Sequence, residues 1–186
     1  MRDELVRPYD DYAAALPSDT SHGFKSGGFN GINPSFLNPA YNPETVDSSE
    51  LGLKTALLDH RMTLNAAVFY NKYDDIQIIS FVNIPTIFNA ANAITKGVDV
   101  DLQANLTDEL RLTAGFEYLH AEFTGDSQGT VVVALPGGGT SSSIGPIDGN
   151  TLAYAPEFTG NIALDYTKVF DRGAMSSHSY SRPIIE

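Results

Sequence analysis

The sequence contains no cysteine. Disulfide frameworks, thiolate metal sites and cysteine nucleophiles are therefore excluded, and the absence selects no compartment. Basic charge is scarce: 11 Lys and Arg stand against 23 Asp and Glu, for a formal net charge of −12. Binding to phosphate backbones needs a basic footprint, so no nucleic-acid partner is expected. Charged residues make up only 18% of the chain and apolar residues 42%, which is too apolar for a disordered acidic tail. No run approaches the roughly 18 apolar residues of a membrane helix. The opening stretch MRDELVRPYDDYAAALPS has no apolar core of the signal-peptide kind. Among catalytic signatures, H-E-x-x-H, Walker A and G-x-G-x-x-G do not occur. The 186 residues are enough for one ordinary domain.

What the sequence does contain is alternation. In KGVDVDLQANL (Lys96 to Leu106), Val98, Val100, Leu102, Ala104 and Leu106 share one parity, and Asp99, Asp101, Gln103 and Asn105 share the other. Successive side chains of a strand point to opposite faces, so one face here is apolar and the other polar and acidic. The same period-two pattern runs through SELGLKTAL (Ser49 to Leu57) and RMTLNAAVFYNKYDDIQII (Arg61 to Ile79). In the second of these, Leu64, Val68 and Tyr70 mark the apolar side, and Lys72 and Asp74 then break it. RLTAGFEYLHAEFTG (Arg111 to Gly125) sets Leu112, Ala114, Phe116 and Tyr118 against Thr113, Gly115 and Glu117. EFTGNIALDYTKV places Phe158, Ile162, Leu164 and Tyr166 on one side. Helical periodicity is confined to a short DDYAAAL segment.

The connections alternate too. LDHR and LTDELR are short polar turns, whereas the stretch SFVNIPTIFNAANAIT and the region from about Asp126 to Pro156 are long; the latter reads as irregular. A soluble β-sandwich also alternates, with one face on a core. Long strands, and turns that alternate short with long, favour a transmembrane β-barrel, with lipid outside and a wet lumen inside. On that reading Val98, Val100, Leu102, Leu64, Val68, Leu112, Phe116, Ile162 and Leu164 face lipid. Asp99, Asp101, Gln103 and Asn105 face the lumen, and Tyr70, Tyr118, Phe158 and Tyr166 form an aromatic girdle.

Reactive side chains do not assemble into a site. His22, His60, His120 and His178 are scattered. His60 sits in a predicted turn and reads as solvated, and a metal role for His120 beside Glu122 is the lesser reading. Asp99 and Asp101 fit a solvated lumen better than a catalytic pair, and Asp74–Asp75 fit a solvated edge better than a cation site. Serines and histidines in SHGFKSGG and SSHSYS lack an orienting acid at recognisable spacing, so a hydrolase is the weakest reading. No catalytic residue, cofactor or metal site is expected. GFKSGGFNG sets Phe24, Lys25, Phe29 and Asn30 among glycines, either as a ligand-contacting external loop or as a packed turn.

GFKSGGFNG, NPETVDSSELGLKTALLDHRMTLNAAVFYNKYDDIQ, NAANAITKGVDVDLQANL, LRLTAGFEYLHAEFTG and YAPEFTGNIALDY, taken in order, resemble the barrel domain of TonB-dependent outer-membrane receptors. The resemblance runs from Gly23 to about Thr167. It implies a barrel of about 22 strands closed around a plug and uptake of a scarce nutrient such as a ferric siderophore, cobalamin or carbohydrate. The implied partners are outer-membrane lipid, a small nutrient ligand and a TonB complex that engages a plug, which this chain does not display. Three segments are expected: 1–22 as a remnant with a deletion near residue 20, 23–168 as partial barrel, and 169–186 as an irregular tail, foreign or frame-shifted. The expected fold is all-β: an antiparallel meander of long hairpin strands, an incomplete piece of a transmembrane β-barrel that does not transport alone. A soluble β-rich binding domain is the alternative.

Overall fold

A computed structural model describes residues 14–31, 40–80, 85–169 and 175–185. Among these residues the chain is all strand and connection, with no helix. The strands are β1 (Ala14–Ala15), β2 (Ser18–Lys25), β3 (Gly28–Phe29), β4 (Ala40–Tyr41), β5 (Glu44–Leu57) and β6 (Met62–Ser80). They continue with β7 (Thr86–Asn105), β8 (Leu110–Thr124), β9 (Gln128–Ala134), β10 (Thr140–Pro146), β11 (Phe158–Val169) and β12 (Met175–Ile185). One antiparallel sheet runs β1-β5-β6-β7-β8-β11-β12, with β2 also on β5. The β9–β10 hairpin and the β3–β4 pair form small separate sheets. Among the described residues the large sheet is open, with β1 and β2 at one edge and β12 at the other.

Hairpin turns fix the register. In the β5–β6 turn, Leu58 (φ 56°), Asp59 (φ 52°) and His60 (φ 62°) all lie in the left-handed region, and the Arg61 N–H bonds the Leu58 carbonyl at 3.0 Å across Asp59 and His60. Two central residues with positive φ define a type I′ turn, whose twist matches the flanking strands. His60 is thus a turn residue. The β7–β8 turn lies beside it: the Asn105 N–H reaches the Arg61 carbonyl at 2.7 Å, and Arg61 Nη2 donates to the Asn105 and Leu106 carbonyls.

Register then puts like with like. One face carries the row Leu51, Val68, Val98, Tyr118 and Phe158 across five strands. Neighbouring rows are Leu53, Ala66, Val100, Phe116 and Gly160, and Thr55, Leu64, Leu102, Ala114 and Ile162. The other face carries Lys54, Asn65, Asp101, Gly115 and Asn161. The apolar face is not covered by the protein: Leu51 is 54% exposed and Val68 48%. A sheet with both faces open has no core of its own, so its apolar side requires another solvent. The few buried apolar residues, Ala91, Ala93, Ala121 and Ile147, sit where β9 comes against β6 and β7, at the end of the sheet opposite the short turns.

Several sequence expectations are corrected. Within the segment expected to be irregular, Met175–Ile185 is a strand: β12 pairs with β11 from Val169↔Met175 to Thr159↔Ile185. Backbone pairing makes this strand without an apolar period, since Arg182 shares the row of Ile162. The region from Asp126 to Pro156 contains the β9–β10 hairpin, and residues after it run back along β8 through the bonds Phe123 N–H to Asn150 and Leu152 N–H to Ala121. The third strand begins at Thr86, ten residues before Lys96. Residues 18–22, assigned to a remnant, belong to an ordinary strand. Ala14↔Thr55 and Ser18↔Leu51 share one register, interrupted only at Pro17, whose carbonyl still accepts from Gly52 N–H at 2.8 Å. Proline has no N–H to give a ladder and is confined to edge strands, and Pro17 and Pro183 occupy the two edges of this sheet. Of the helical candidate, residues 10–13 lie outside the described residues, and Ala14–Ala15 are strand.

Candidate functional site: a two-faced wall and its external end

The apolar band has measurable limits. Along β8 it runs from Leu110 to Tyr118, about 27 Å at ~3.4 Å per residue. At the ~40° tilt of such strands this spans about 21 Å, close to the ~25 Å apolar band of outer-membrane barrels. Tyr118 and Phe158 close the band at one end, with ring centroids 5.1 Å apart. Tyr166 closes it at the other, where its hydroxyl donates to Glu109 Oε2 at 2.9 Å. An aromatic ring in the apolar layer with its hydroxyl in a polar one is the usual interfacial placement. Beyond Tyr118 the same face turns charged. Tyr70, Lys96 and His120 form one row, and Asp47, Lys72 and Glu122 lie in the next. Lys72 Nζ meets Asp74 at 2.8 Å, and His120 Nε2 lies 3.3 Å from Glu122. The two residues that break the apolar period therefore lie just past the band.

The opposite face is a hydrogen-bonding wall. Arg111 donates to Gln103 at 3.1 Å, Thr159 Oγ1 to Glu117 at 3.1 Å, and Asn71 to Thr95 at 3.0 Å. Asp99 and Asp101 line a shallow hollow with Glu117 and Asn161. Asn105, placed with them by the sequence, lies at the turn end and lines a separate hollow beside Arg61, Glu109 and Asp165. Two glycines belong to this wall. A Cβ at Gly97 would stand 2.7 Å from the Phe69 ring, and one at Gly115 would stand 2.6 Å from Asn161 Oδ1.

At the external end, the four residues of GFKSGGFNG part company. Phe24 follows His22 on the parity of Leu51 and is exposed on the outward side. Lys25 lies 3.7 Å from Glu44. Phe29 is 76% exposed. Asn30 is buried, and its carboxamide exchanges two hydrogen bonds with the Ile87 backbone, at 2.7 and 2.6 Å. Asn30 is thus an anchor that acts as a peptide group. Sequence reading missed a second such carboxamide. Asn89 exchanges bonds with the Asn42 peptide at 2.6 and 3.0 Å, and Gln77 Nε2 adds donations to Ser26 and Asn42. The spacing of Asn30, Asn42, Asn89 and Asn92 carries no period, so only the tertiary pairing exposes this network.

The β9–β10 hairpin is seated by Ser127, which is 1% exposed. Its Oγ accepts from the Asn92 N–H at 2.9 Å and lies 2.6 Å from the Thr124 carbonyl and 3.1 Å from that of Asn92. From Ser127 to Ile147 the chain has no charged residue. Val132, Val133 and Leu135 are exposed there, and Gly138 and Gly139 take positive φ at the tip.

Comparison with known proteins agrees with this geometry. The profile of the family described as TonB dependent receptor-like, beta-barrel, matches residues 7–183. The metal-pseudopaline receptor CntO of Pseudomonas aeruginosa is 30% identical over 111 residues, which is 60% of this chain and 15% of that protein. The ferric yersiniabactin uptake receptor FyuA of Yersinia pestis superposes with a TM-score of 0.65 at 19% identity, covering 94% of this chain and 27% of FyuA. The siderophore receptor PiuA of Acinetobacter baumannii gives 0.61 at 18% identity, covering 91% of this chain and 26% of PiuA. The chain thus spans about a quarter or less of the length of these proteins.

Proposed function

Because the chain belongs to the TonB-dependent receptor β-barrel family, we propose that it forms part of the wall of an outer-membrane receptor for a scarce nutrient, of the metal–siderophore class. The single observation that carries this reading is the two-faced sheet: an uncovered apolar band about 21 Å tall, ended by aromatic and then charged rows, on the back of a polar acidic wall. CntO, FyuA and PiuA are described as receptors for a metal chelate or siderophore. That favours a metallophore over cobalamin or carbohydrate.

In this reading Val98, Val100, Leu102, Leu64, Val68, Leu112, Phe116, Ile162 and Leu164 meet lipid. Asp99, Asp101, Gln103 and Asn105 meet the aqueous lumen. The external segment that carries Phe24, Lys25, Phe29 and Asn30 contributes to ligand capture, with Lys25 and Phe29 as the touching groups and Asn30 as anchor. The chain performs no covalent chemistry. It recognises passively, and a TonB complex acting on the plug of the complete receptor supplies the energy, so this wall segment does not transport by itself.

Cells that express the receptor bearing this sequence, starved of iron, are to be offered iron-55 as hydroxamate, catecholate and mixed-ligand siderophore chelates. Uptake of at least one chelate that stops when TonB is deleted supports the proposal. No TonB-dependent uptake of any would refute it. A protein that purifies as a monodisperse monomer without detergent would favour the soluble binding domain instead.

A further inference from the structure

β6 and β7 keep one register from Met62↔Ala104 to Tyr73↔Ala93, and the same register resumes from Gln77↔Asn89 to Ser80↔Thr86. In between, Ile76 stands opposite Ala91 and the ladder is broken on both sides. Asp74 and Asp75 together oppose Asn92, and Ala90 is the surplus residue on the other strand. The two bulges cancel. The stretch can therefore straighten, with Asp74 to Asn92, Asp75 to Ala91 and Ile76 to Ala90, while neither flank slides. Bulges ordinarily redirect a strand and raise its twist; a compensated one adds a second arrangement that leaves the rest of the hairpin in place.

Side-chain amides hold the bulged form. Asp75 has φ 58°, a conformation that side chains other than glycine, asparagine and aspartate rarely adopt. Its N–H donates to Asn92 Oδ1 at 3.1 Å, and its carbonyl accepts from Asn89 Nδ2 at 2.7 Å. Asn89 Nδ2 also donates to the Asn42 carbonyl at 3.0 Å, and Asn89 Oδ1 accepts from the Asn42 N–H at 2.6 Å. One carboxamide thus serves both the bulge and the external segment. The Asn92 backbone is bound in turn to Ser127 at the foot of the β9–β10 hairpin. In a straight ladder the Asp75 peptide would pair with Ala91, and Asn89 would lose the one of its three bonds that ties Asn42 to the bulge.

We propose that this compensated bulge is a two-state joint that grips or releases the β3–β4 pair through Asn42, with Asp75, Asn89 and Asn92 as its positioning residues. The proposed ligand-capture role of Lys25 and Phe29 gives the joint its purpose, but the coupling itself is testable with no ligand present.

No native cysteine of this chain competes with an introduced label. A nitroxide on Phe29→Cys reports mobility of the segment in the receptor reconstituted in vesicles, and one on Ile162→Cys reports that the sheet is inserted. Asp75→Gly, which permits positive φ, should leave the Phe29→Cys spectrum unchanged. Asp75→Val, which resists positive φ and favours extended backbone, should raise the mobile fraction at least about twofold. Asn89→Asp, which removes both donated bonds but keeps Oδ1, should do the same. If either Asp75→Val or Asn89→Asp leaves the label immobile, the proposal is overturned, because bulge and grip would then be independent. Where Asp75→Val disturbs the Ile162→Cys control, Asp75→Ala takes its place with the same expected order. Failure of siderophore uptake would not alter these spectra, so the two readings fail separately.

Discussion

Replacing Val100 with arginine tests the assignment of faces at its most sensitive point. Val100 lies on the apolar row with Leu53, Ala66 and Phe116. Lys96, four residues along the same strand and on the same face, marks where the band ends. Four residues at ~3.4 Å and a tilt of ~40° put Val100 about 10 Å below that boundary. In the other direction the Leu110–Tyr166 row lies about 16 Å away. Val100 is therefore near the midplane, where a lipid-facing arginine costs about 2–4 kcal/mol, against ~0–1 near an interface. The same substitution at Val98, one row nearer the boundary, should cost about half as much. Asp101→Arg turns the charge toward Gly115 and Asn161 on the wet wall, close to Asp99 and Glu117, and should cost under about 1 kcal/mol. The assay is urea unfolding of the protein in lipid vesicles, followed by the gel shift of folded against heated protein. Equal losses for Val100→Arg and Asp101→Arg, or no gradient from position 100 to 98, would refute the reasoning.

Other consequences follow from particular contacts. Arg182 sits on the outward face in the row of Ile162 and Leu102, so Arg182→Leu should stabilise the vesicle-bound protein by up to about 2 kcal/mol, read by the same unfolding curve. His60→Gly relieves a left-handed side chain in the type I′ turn and should add about 1 kcal/mol without moving the ends of β5 and β6, which amide shifts would check. Ser127→Ala leaves the Asn92 N–H and the hairpin foot without their shared partner. It should cost about 1–3 kcal/mol locally, seen as faster amide exchange at Asn92 and earlier protease cleavage between residues 128 and 146 while the main sheet stays protected.

The sheet was legible because its physics is local and periodic. Val98 to Leu106 alternate without a fault, and an alternating strand has only one way to present Leu102 to oil and Asp101 to water. The end of the band was legible at Lys72 for the same reason. The edges were not. Residues Met175 to Ile185 form a strand because β11 offers them an unpaired ladder, and nothing in MSSHSYSRPII announces this in side-chain pattern. Pro17 and Pro183 lie on the edges of the sheet, where a missing N–H does no harm. The external end was the least legible. Phe24, Lys25, Phe29 and Asn30 look like one cluster in sequence, but strand parity sends Phe24 outward and the Ile87 backbone captures Asn30. Asn89 and Asn92 carry no signal in the sequence because their partners, Asn42, Asp75 and Ser127, are distant along the chain. Carboxamides that stand in for peptide groups leave no trace in a hydropathy pattern.

The most direct measurement is collision accessibility of nitroxides placed one at a time from position 98 to 103 in the vesicle-bound receptor. The labels at 98, 100 and 102 should be quenched by bilayer-dissolved oxygen, and those at 99, 101 and 103 by a water-soluble nickel chelate, in strict alternation. A flat profile, or one with the two reagents exchanged, would contradict the account.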